Sequence, residues 1–266
     1  MSLLAAPDAV RAAAERLTGA HDTGEPCAPV RDLIGATDVA AAYAVQERLT
    51  SARLAAGARI VGRKIGLTSE AVQRQLGVDQ PDFGVLFDDM GYDDSALIPM
   101  RLLLQPKAEA EIAFVLSEDL VDGPLDTARV RSAVAYAVAA LEIVDSRIAG
   151  WDIKFGDTVA DNASSGLFVL GATRRALTDF QPVDAVMSMT VDGELVSQGT
   201  GAACLGDPVA ALAWLAAKAR EFDRPLRAGQ VVLSGALGPM VTVGPGSVVT
   251  AEITGLGSVT ATFTEG

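Results

Sequence analysis

The chain has 266 residues, half of them hydrophobic, which is enough for a substantial core in one large domain or two small ones. A formal net charge of −13 would repel nucleic acid, and the longest apolar runs are too short to cross a bilayer. The first 20 residues do not resemble a signal peptide, so we expect a cytoplasmic protein that binds neither nucleic acid nor membrane.

Histidine and cysteine are scarce, which limits the kinds of catalytic and metal site that the chain can form. His21 is the single histidine and lies in a polar segment, 21–26, that predicts a loop. Zinc sites with two or three histidines are excluded, and a Ser-His-Asp machine would have to use His21. Cys27 and Cys204 lack metal-ligand spacing and are interpreted as reduced thiols. Any reaction therefore depends on carboxylates, lysines, hydroxyls or a bound ion.

The N-terminal third is predicted to be mainly helical. Apolar residues at helical spacing and the capping residues Thr37 or Asp38 mark two long helices. The predicted elements in chain order are a helix over 5–17, a connection over 21–35, a helix over 37–56, a strand over 59–65, a short helix capped by Ser69 over 69–76 and an ordered loop over 77–91.

The remainder is predicted to be rich in strands. The turn Asp192-Gly193 is typical of a two-residue hairpin, and Asp207 followed by Pro208 marks a helix start. The predicted elements are a strand over 107–116, an alanine-rich helix over 126–140, strands over 141–146, 167–170, 185–191 and 194–198, a helix over 207–222, and strands over 231–234, 247–253 and 258–263. This order favours an α+β fold with a mixed or antiparallel sheet. We expect residues 1–58 to be a helical segment packed on a β-rich catalytic domain, 59–266, in one structural unit.

Three glutamates are candidate metal ligands. Glu109 and Glu111 lie two residues apart on a predicted strand, so their side chains point to one face, roughly 7 Å apart. Glu142 follows in an apolar context that demands a partner. A divalent cation would offset the repulsion and the desolvation of these groups, and oxygen ligands favour Mg²⁺ or Mn²⁺. The alternative is a strand end whose glutamates reach water.

Other polar segments offer substrate-binding groups or ordinary turns. Lys64, in a glycine-rich basic segment, is the candidate positive charge for an anionic substrate, or else a solvated lysine. Asp79 and Asp82 are candidate general acids or bases, although turns use aspartate routinely. The segments 161–166 and 234–239 offer hydrogen-bond donors, with Asn162, Ser164 and Ser234 as candidate substrate-binding residues, or form tight turns. Asp145 is a candidate fourth metal ligand, although a salt bridge with Arg147 is its simpler interpretation.

Six segments in this order resemble the 2-keto-4-pentenoate hydratase family over nearly the whole chain. They are 61–68, 76–84, 109–111, 141–147, 157–165 and 234–240. The resemblance implies a mixed β-roll like the C-terminal domain of fumarylacetoacetate hydrolase, with N-terminal and flanking helices. It also implies Mg²⁺ or Mn²⁺ held by Glu109, Glu111 and Glu142, substrate contacts at Lys64 and Asp82, and a homo-oligomer, often built on pentamers.

The implied reaction is the hydration of 2-hydroxypenta-2,4-dienoate to 4-hydroxy-2-oxopentanoate in aromatic meta-cleavage degradation. Lys64 would bind the oxygens of this small anionic 2-hydroxy-dienoate, and Asp82 would serve as general acid/base. Segments 149–153 and 235–240 are similar to hydratases, whereas Asp145 is more similar to the sister 4-oxalocrotonate decarboxylases. Two alternatives therefore stay open: a decarboxylase, or a non-catalytic assembly partner of the same fold.

Overall fold

Three helices at the N-terminus precede a β-rich body in the computed structural model, which describes residues 7–69, 73 and 78–265. They are α1 (Pro7–Thr23), α2 (Arg31–Ile34) and α3 (Val39–Ala55). The Asp38 carboxylate caps α3 by accepting from the backbone N–H of Ala41. The buried Gln46 side chain of α3 donates to the carbonyls of Phe83 and Val159, so α3 is tied to the body by hydrogen bonds.

Two mixed sheets form the body. The strands are β1 (Ile60–Gly66), β2 (Asp82–Phe87), β3 (Gly91–Asp93), β4 (Ala96–Pro99), β5 (Lys107–Leu116), β6 (Val134–Val144), β7 (Ser165–Leu170), β8 (Val186–Val191), β9 (Glu194–Thr200), β10 (Val231–Ala236), β11 (Val241–Thr242), β12 (Val248–Ile253) and β13 (Gly257–Thr264). The larger sheet has the order β2-β1-β10-β5-β6-β7-β3, with β11 paired to β5, and the smaller has the order β4-β13-β12-β8-β9. The expected α+β fold is confirmed.

Three further helices flank the sheets: α4 (Thr127–Ser132), α5 (Phe155–Ala160) and α6 (Pro208–Glu221). The segment Gly201–Glu221 is long and apolar enough, by length and composition, to pass as a membrane span. Its regular α-helix is only 14 residues, or about 21 Å, against a bilayer core of about 30 Å. Leu212 and Leu215 are fully buried, so packing within the protein accounts for this apolar surface.

The alanine-rich segment 126–140 is the clearest correction to the sequence-based prediction. Only Thr127–Ser132 is helical, and Val134–Val144 is the longest strand of the larger sheet. This strand lies between β5 and β7, and it is buried on both faces from Ala137 onward. Burial on both faces erases the polar alternation that marks a strand, and alanine favours helices intrinsically. Tertiary pairing overrides that propensity.

Two predicted loops are also wrong in part. Within 77–91 the segment Asp82–Phe87 is β2, which pairs with β1 and is buried at all six positions. His21 lies in the last turn of α1, which continues to Thr23 instead of ending at residue 17. The helices over 37–56 and 207–222, the hairpin at Asp192-Gly193 and the C-terminal strands are confirmed. The helix predicted from Ser69 falls mostly outside the described residues.

Candidate metal and substrate site

The three predicted glutamates meet on one face of the larger sheet. Glu109 and Glu111 share a face of β5, and Glu142 on β6 is the cross-strand partner of Glu109. One carboxylate oxygen from each lies within 4.8 Å of the other two. Glu111 and Glu142 are buried, whereas Glu109 keeps partial exposure. The period of two along β5 and the register between β5 and β6 therefore assemble the cluster.

The environment of this cluster fits a divalent cation. Burial, reinforced by Glu142, raises the pKa of Glu109 to about 7 and also raises that of Glu111. Glu111 Oε1 and Glu142 Oε2 have no hydrogen-bond partner among the described residues. Glu111 Oε2 accepts from the backbone N–H of Gly235 at 2.7 Å. Buried, unpaired carboxylate oxygens that converge within 4.8 Å are a suitable donor set for a hard cation.

Lys64 extends from β1 into the same space. Its ammonium lies 2.9 Å from Glu142 Oε1, an ion pair that lacks the angular geometry of a hydrogen bond. Burial disfavours the charged form, but Glu142, Asp82, Glu109 and Glu111 together keep the pKa of Lys64 above its ordinary value. The lysine is buried and charged, not solvated. One ammonium cannot neutralise three glutamates, so protons or a divalent cation would have to balance the remaining charge.

Asp82 begins β2 opposite the end of β1. An added Cβ at Gly66 would lie 2.2 Å from Asp82 Oδ1 and 3.5 Å from Lys64 Nζ, so both groups surround one point. Burial raises the pKa of Asp82 to about 6, and Lys64 counters part of that shift. Oδ1 has no hydrogen-bond partner in the described part of the chain. A buried carboxyl with such a pKa is suited to proton transfer near neutral pH.

The candidate residues Asn162 and Ser164 lie in a left-handed turn after α5. Asn162, Ala163 and Ser164 have φ values of 54°, 52° and 53°, which cost about 1–2 kcal/mol per residue for side chains other than glycine. The Asn162 side chain is hydrogen-bonded to one residue of β2: its Oδ1 accepts from Val85 N–H, and its Nδ2 donates to Val85 O. The buried Ser164 hydroxyl lies 3.3 Å from that of Thr158 on α5. Sequence analysis did not identify Thr158, since a lone threonine on a short helix carries no local signal.

Ser234 lies on β10 beside the cluster. Its hydroxyl has only a long contact of 3.5 Å to Gly235 O, and its carbonyl accepts from the Cys204 thiol. Gly235 has φ 110°, and an added Cβ would lie 2.3 Å from Thr68 Cγ2. This glycine lets β10 turn its backbone N–H toward Glu111. Ser234 is therefore buried next to the candidate ligands with its hydroxyl nearly free among the described residues.

Asp145 does not join the glutamates. It accepts backbone hydrogen bonds from Leu104 and Gln105, at 2.9 Å and 2.6 Å for the shortest of each, and thus fixes the chain entering β5. The expected pair with Arg147 is wrong, because the Arg147 guanidinium binds the side chain and the carbonyl of Asp161. Asp145 is therefore a buried residue that fixes the neighbouring backbone by hydrogen bonds.

A separate cavity lies between α1, α3, the end of β2 and the start of β7. It has a volume of about 840 Å³ and is lined by His21, Arg53, Phe87 and Arg147, among others. None of the three glutamates, Lys64 or Asp82 lines it. Its partly buried Arg147 already donates to the Asp161 side chain, to Asp161 O and to Ser165 O. Unpaired carboxylate oxygens converge at the glutamate cluster instead, which makes that cluster the candidate site.

Known proteins resemble this chain over nearly its whole length. Residues 61–264 match the family model described as fumarylacetoacetate (FAA) hydrolase C-terminal. A 2-keto-4-pentenoate hydratase of Burkholderia vietnamiensis is 54% identical over 258 residues, 97% of this chain and 98% of that protein. The TodF product hydratase of Pseudomonas putida is 56% identical over 255 residues, covering 96% of this chain and 95% of that protein.

A solved structure extends the resemblance to a second activity. It is 4-oxalocrotonate decarboxylase from Pseudomonas putida complexed with magnesium and adipate, with 33% identity and a TM-score of 0.92 over 97% of this chain and 98% of that one. The hydratases share much more sequence with this chain than the decarboxylase does. The chain is therefore a member of the 2-keto-4-pentenoate hydratase family within the fumarylacetoacetate hydrolase superfamily.

Proposed function

We propose that this enzyme hydrates 2-hydroxypenta-2,4-dienoate to 4-hydroxy-2-oxopentanoate with Mg²⁺, or Mn²⁺, bound by Glu109, Glu111 and Glu142. The observation that carries the proposal is the convergence of three glutamates with unpaired buried oxygens beside a buried lysine. Such a site suits a small acid whose carboxylate and neighbouring oxygen bind a cation together. The identity of 52–54% to proteins named 2-keto-4-pentenoate hydratase supports the choice of reaction.

The bound cation would supply Lewis-acid stabilisation of the negative charge that develops on the C2 oxygen of the substrate. Lys64 binds the substrate's carboxylate or C2 oxygen and compensates its charge. Ser234 offers a hydroxyl donor beside the glutamates. Together these groups orient the dienoate against the largely buried strands β1, β5 and β6.

Asp82 is the group that moves protons. Its Oδ1 is free among the described residues and faces the same point as the Lys64 ammonium. In its protonated form Asp82 delivers a proton to C5, which converts the dienol to the 2-oxo-3-enoate. The C2 hydroxyl gives up its proton to solvent in that step. As a carboxylate Asp82 then accepts a proton from the water that adds at C4, while C3 gains a proton from solvent. The sum is one substrate and one water giving one product.

The decarboxylase alternative is tested by offering both substrates. Purified protein with Mg²⁺ should convert 2-hydroxypenta-2,4-dienoate to 4-hydroxy-2-oxopentanoate and should release little CO₂ from 4-oxalocrotonate. Removal of metal by a chelator should abolish hydration, and added Mg²⁺ should restore it. Full activity of the metal-free protein, or faster turnover of the dicarboxylate, would refute the proposal. Retained hydration would equally refute the idea of a non-catalytic assembly partner.

We further propose that the protein works in the cytoplasm as a homo-oligomer, with pentamers as the expected building block. Residues 1–58 and 59–266 act as one structural unit, since Gln46 of α3 bonds to carbonyls of β2 and α5. These two carbonyls belong to Phe83, next to Asp82, and Val159, next to Thr158. The N-terminal helices are thus expected to support the geometry of the site.

A further inference from the structure

We infer that Thr158 is a positioning residue for Asp82, and that the left-handed turn Asn162–Ser164 exists to hold a hydroxyl chain from Ser164 through Thr158 to that carboxylate. The inference rests on the proposed role of Asp82 as the proton-transferring group. It assigns Asn162 to the support of the turn and Ser164 to the far end of the chain.

The hydroxyl chain consists of two contacts between buried side chains. Thr158 Oγ1 donates to Asp82 Oδ2 at 3.4 Å, and Thr158 Oγ1 lies 3.3 Å from Ser164 Oγ. All three residues are at most 5% exposed. A hydroxyl has one proton to donate, so if Thr158 donates to Asp82, Ser164 must donate to Thr158. Donors aligned in one direction polarise each other toward the carboxylate. Catalytic hydrogen bonds are often long in a free enzyme and tighten when substrate binds.

The two oxygens of Asp82 are thereby distinguished. Oδ2 is oriented by Thr158, whereas Oδ1 has no partner in the described structure and faces the point that Lys64 also reaches. A carboxylate held through one oxygen presents the other in a fixed direction. Without the hydroxyl, rotation of the Asp82 carboxyl group would exchange the two oxygens. Thr158 therefore fixes which oxygen meets the substrate.

The turn that supplies Ser164 is strained and is held on several sides. Three consecutive residues other than glycine have positive φ, a conformation that persists only where the surroundings enforce it. The Asn162 side chain bonds to both backbone groups of Val85 on β2, and Ser165 Oγ donates to Asn162 O. An added Cβ at Gly84 would lie 2.4 Å from Asn162 O, so β2 packs directly on the turn. The same strand begins with Asp82, which couples turn and carboxylate.

The hydroxyl chain acts within a set of charged neighbours. Lys64 on β1 favours the ionised form of Asp82, whereas Glu142 on β6 and Glu109 on β5 disfavour it. Glu111 shares their face of β5, and the buried Tyr43 phenol of α3 also lies within electrostatic range of Asp82. A donated hydrogen bond from Thr158 favours the ionised carboxylate. Loss of the hydroxyl should therefore raise the pKa at which Asp82 titrates.

The test is the pH profile of kcat/KM for Thr158→Val, which keeps the shape and removes the hydroxyl. We expect kcat to fall about 10-fold, the value of one hydrogen bond to a charged group, with little change in KM. The limb of the profile governed by Asp82 should move to higher pH. Thr158→Ser, which keeps the hydroxyl, should restore both. Thr50→Val removes another buried threonine hydroxyl, in α3 away from the site, and should leave the profile unchanged.

Several outcomes would overturn the inference. A wild-type profile for Thr158→Val would do so, as would equal losses in Thr158→Ser and Thr158→Val, because packing and not the hydroxyl would then matter. If Thr158→Val fails to fold, Ser164→Ala tests the same chain from its far end and should shift the limb in the same direction; an unshifted limb refutes the chain. Asp82→Asn separates the two proposals: unaltered kcat there refutes the role of Asp82 itself, whereas its loss beside an unshifted Thr158→Val refutes only the positioning.

Discussion

At the scale of single residues, the division of labour between Lys64 and Asp82 is the most direct consequence of the site geometry. Lys64→Ala should raise KM and also lower kcat, because the same ammonium binds the substrate anion and steadies its developing charge. Asp82→Asn keeps the shape and removes the titratable proton, so kcat should fall by roughly 10²–10⁴-fold. Steady-state kinetics with metal analysis checks both. Near-normal kcat for Asp82→Asn, or loss of bound metal, would contradict this assignment.

The glutamate cluster also predicts how pH and metal together set stability. In the metal-free protein the pKa of Glu109 is raised to about 7 from an ordinary 4.5, chiefly by burial and then by Glu142, and Glu111 shifts in the same direction. The folded state therefore binds more protons than the unfolded state between these values. The stability of the metal-free protein is highest with these groups protonated and falls as pH rises through about 7.

A bound cation should offset this loss of stability at high pH, because it neutralises the carboxylates in place of the protons. The rise in Tm caused by saturating Mg²⁺ should consequently be larger at about pH 8 than at about pH 5.5. Thermal unfolding of chelated and Mg²⁺-loaded protein at both pH values measures it. A Tm increase that is equal at both, or larger at the lower pH, would mean that the ion does not bind to these carboxylates.

The sequence alone predicts only those contacts of the site that join residues close together along the chain. Glu109 and Glu111 share a face through the period of two, so their proximity follows from their spacing. The register that sets Glu142 opposite Glu109 requires 134–144 to be a strand, and the alanine-rich composition indicates a helix instead. The apolar neighbours of Glu142 make it a candidate ligand, but its position opposite Glu109 does not follow from the sequence. The contact of Thr158 with Asp82 spans 76 residues and has no local signature.

At the scale of elements, the parallel pairing of β1 with β10 determines where Lys64 points. Gly62 pairs with Val231, and an added Cβ at Gly62 would lie 2.1 Å from Val231 O, a backbone atom that cannot yield. Gly62→Ala should therefore destabilise the protein by about 1–3 kcal/mol and disturb substrate binding at Lys64. Gly19→Ala is the control, because no atom lies within 4 Å of its added Cβ in α1.

In the control, alanine replaces glycine inside a helix, which should raise stability by roughly 0.5–1 kcal/mol. Chemical denaturation of the two variants, read against the parent, gives both free energies of unfolding. Equal stability of Gly62→Ala and Gly19→Ala would show that β1 and β10 do not approach each other as described. The strand prediction at 59–65 would survive that result, but the parallel pairing, which no local pattern predicts, would not.

The contacts of Asp145 at the start of β5 show why this residue does not distinguish a hydratase from a decarboxylase. Its carboxylate binds the backbone of Leu104 and Gln105, where the chain enters β5, so it holds the strand that carries Glu109 and Glu111. A residue with that structural task serves either reaction equally. Its resemblance to the decarboxylase sequences therefore carries no weight against hydration. The sequence identities to hydratases remain the stronger discriminator.

At the scale of the whole molecule, the smaller sheet exposes apolar side chains that a single chain leaves uncovered. Leu97, Val186, Leu195, Val196 and Val248 are each at least 39% exposed and all belong to β4, β8, β9 and β12. Exposed apolar groups gathered on one sheet are typical of surfaces that are covered on association. They support the proposed homo-oligomer.

The net charge of −13 per chain makes that assembly dependent on salt. Identical acidic chains repel each other, and the repulsion is screened over about 8 Å at physiological ionic strength but extends to roughly 30 Å at 0.01 M. We expect light scattering coupled to gel filtration to show a homo-oligomer at physiological salt, with smaller species becoming more abundant as the salt is lowered.

Leu195→Lys, which adds a charge to the exposed β9, should weaken assembly, whereas Glu194→Gln, which removes one negative charge from the same strand, should not. A monodisperse monomer at micromolar concentration and physiological salt would contradict the assembly, and an oligomer that dissociates as salt is raised would mean that ion pairs and not apolar contacts hold it together.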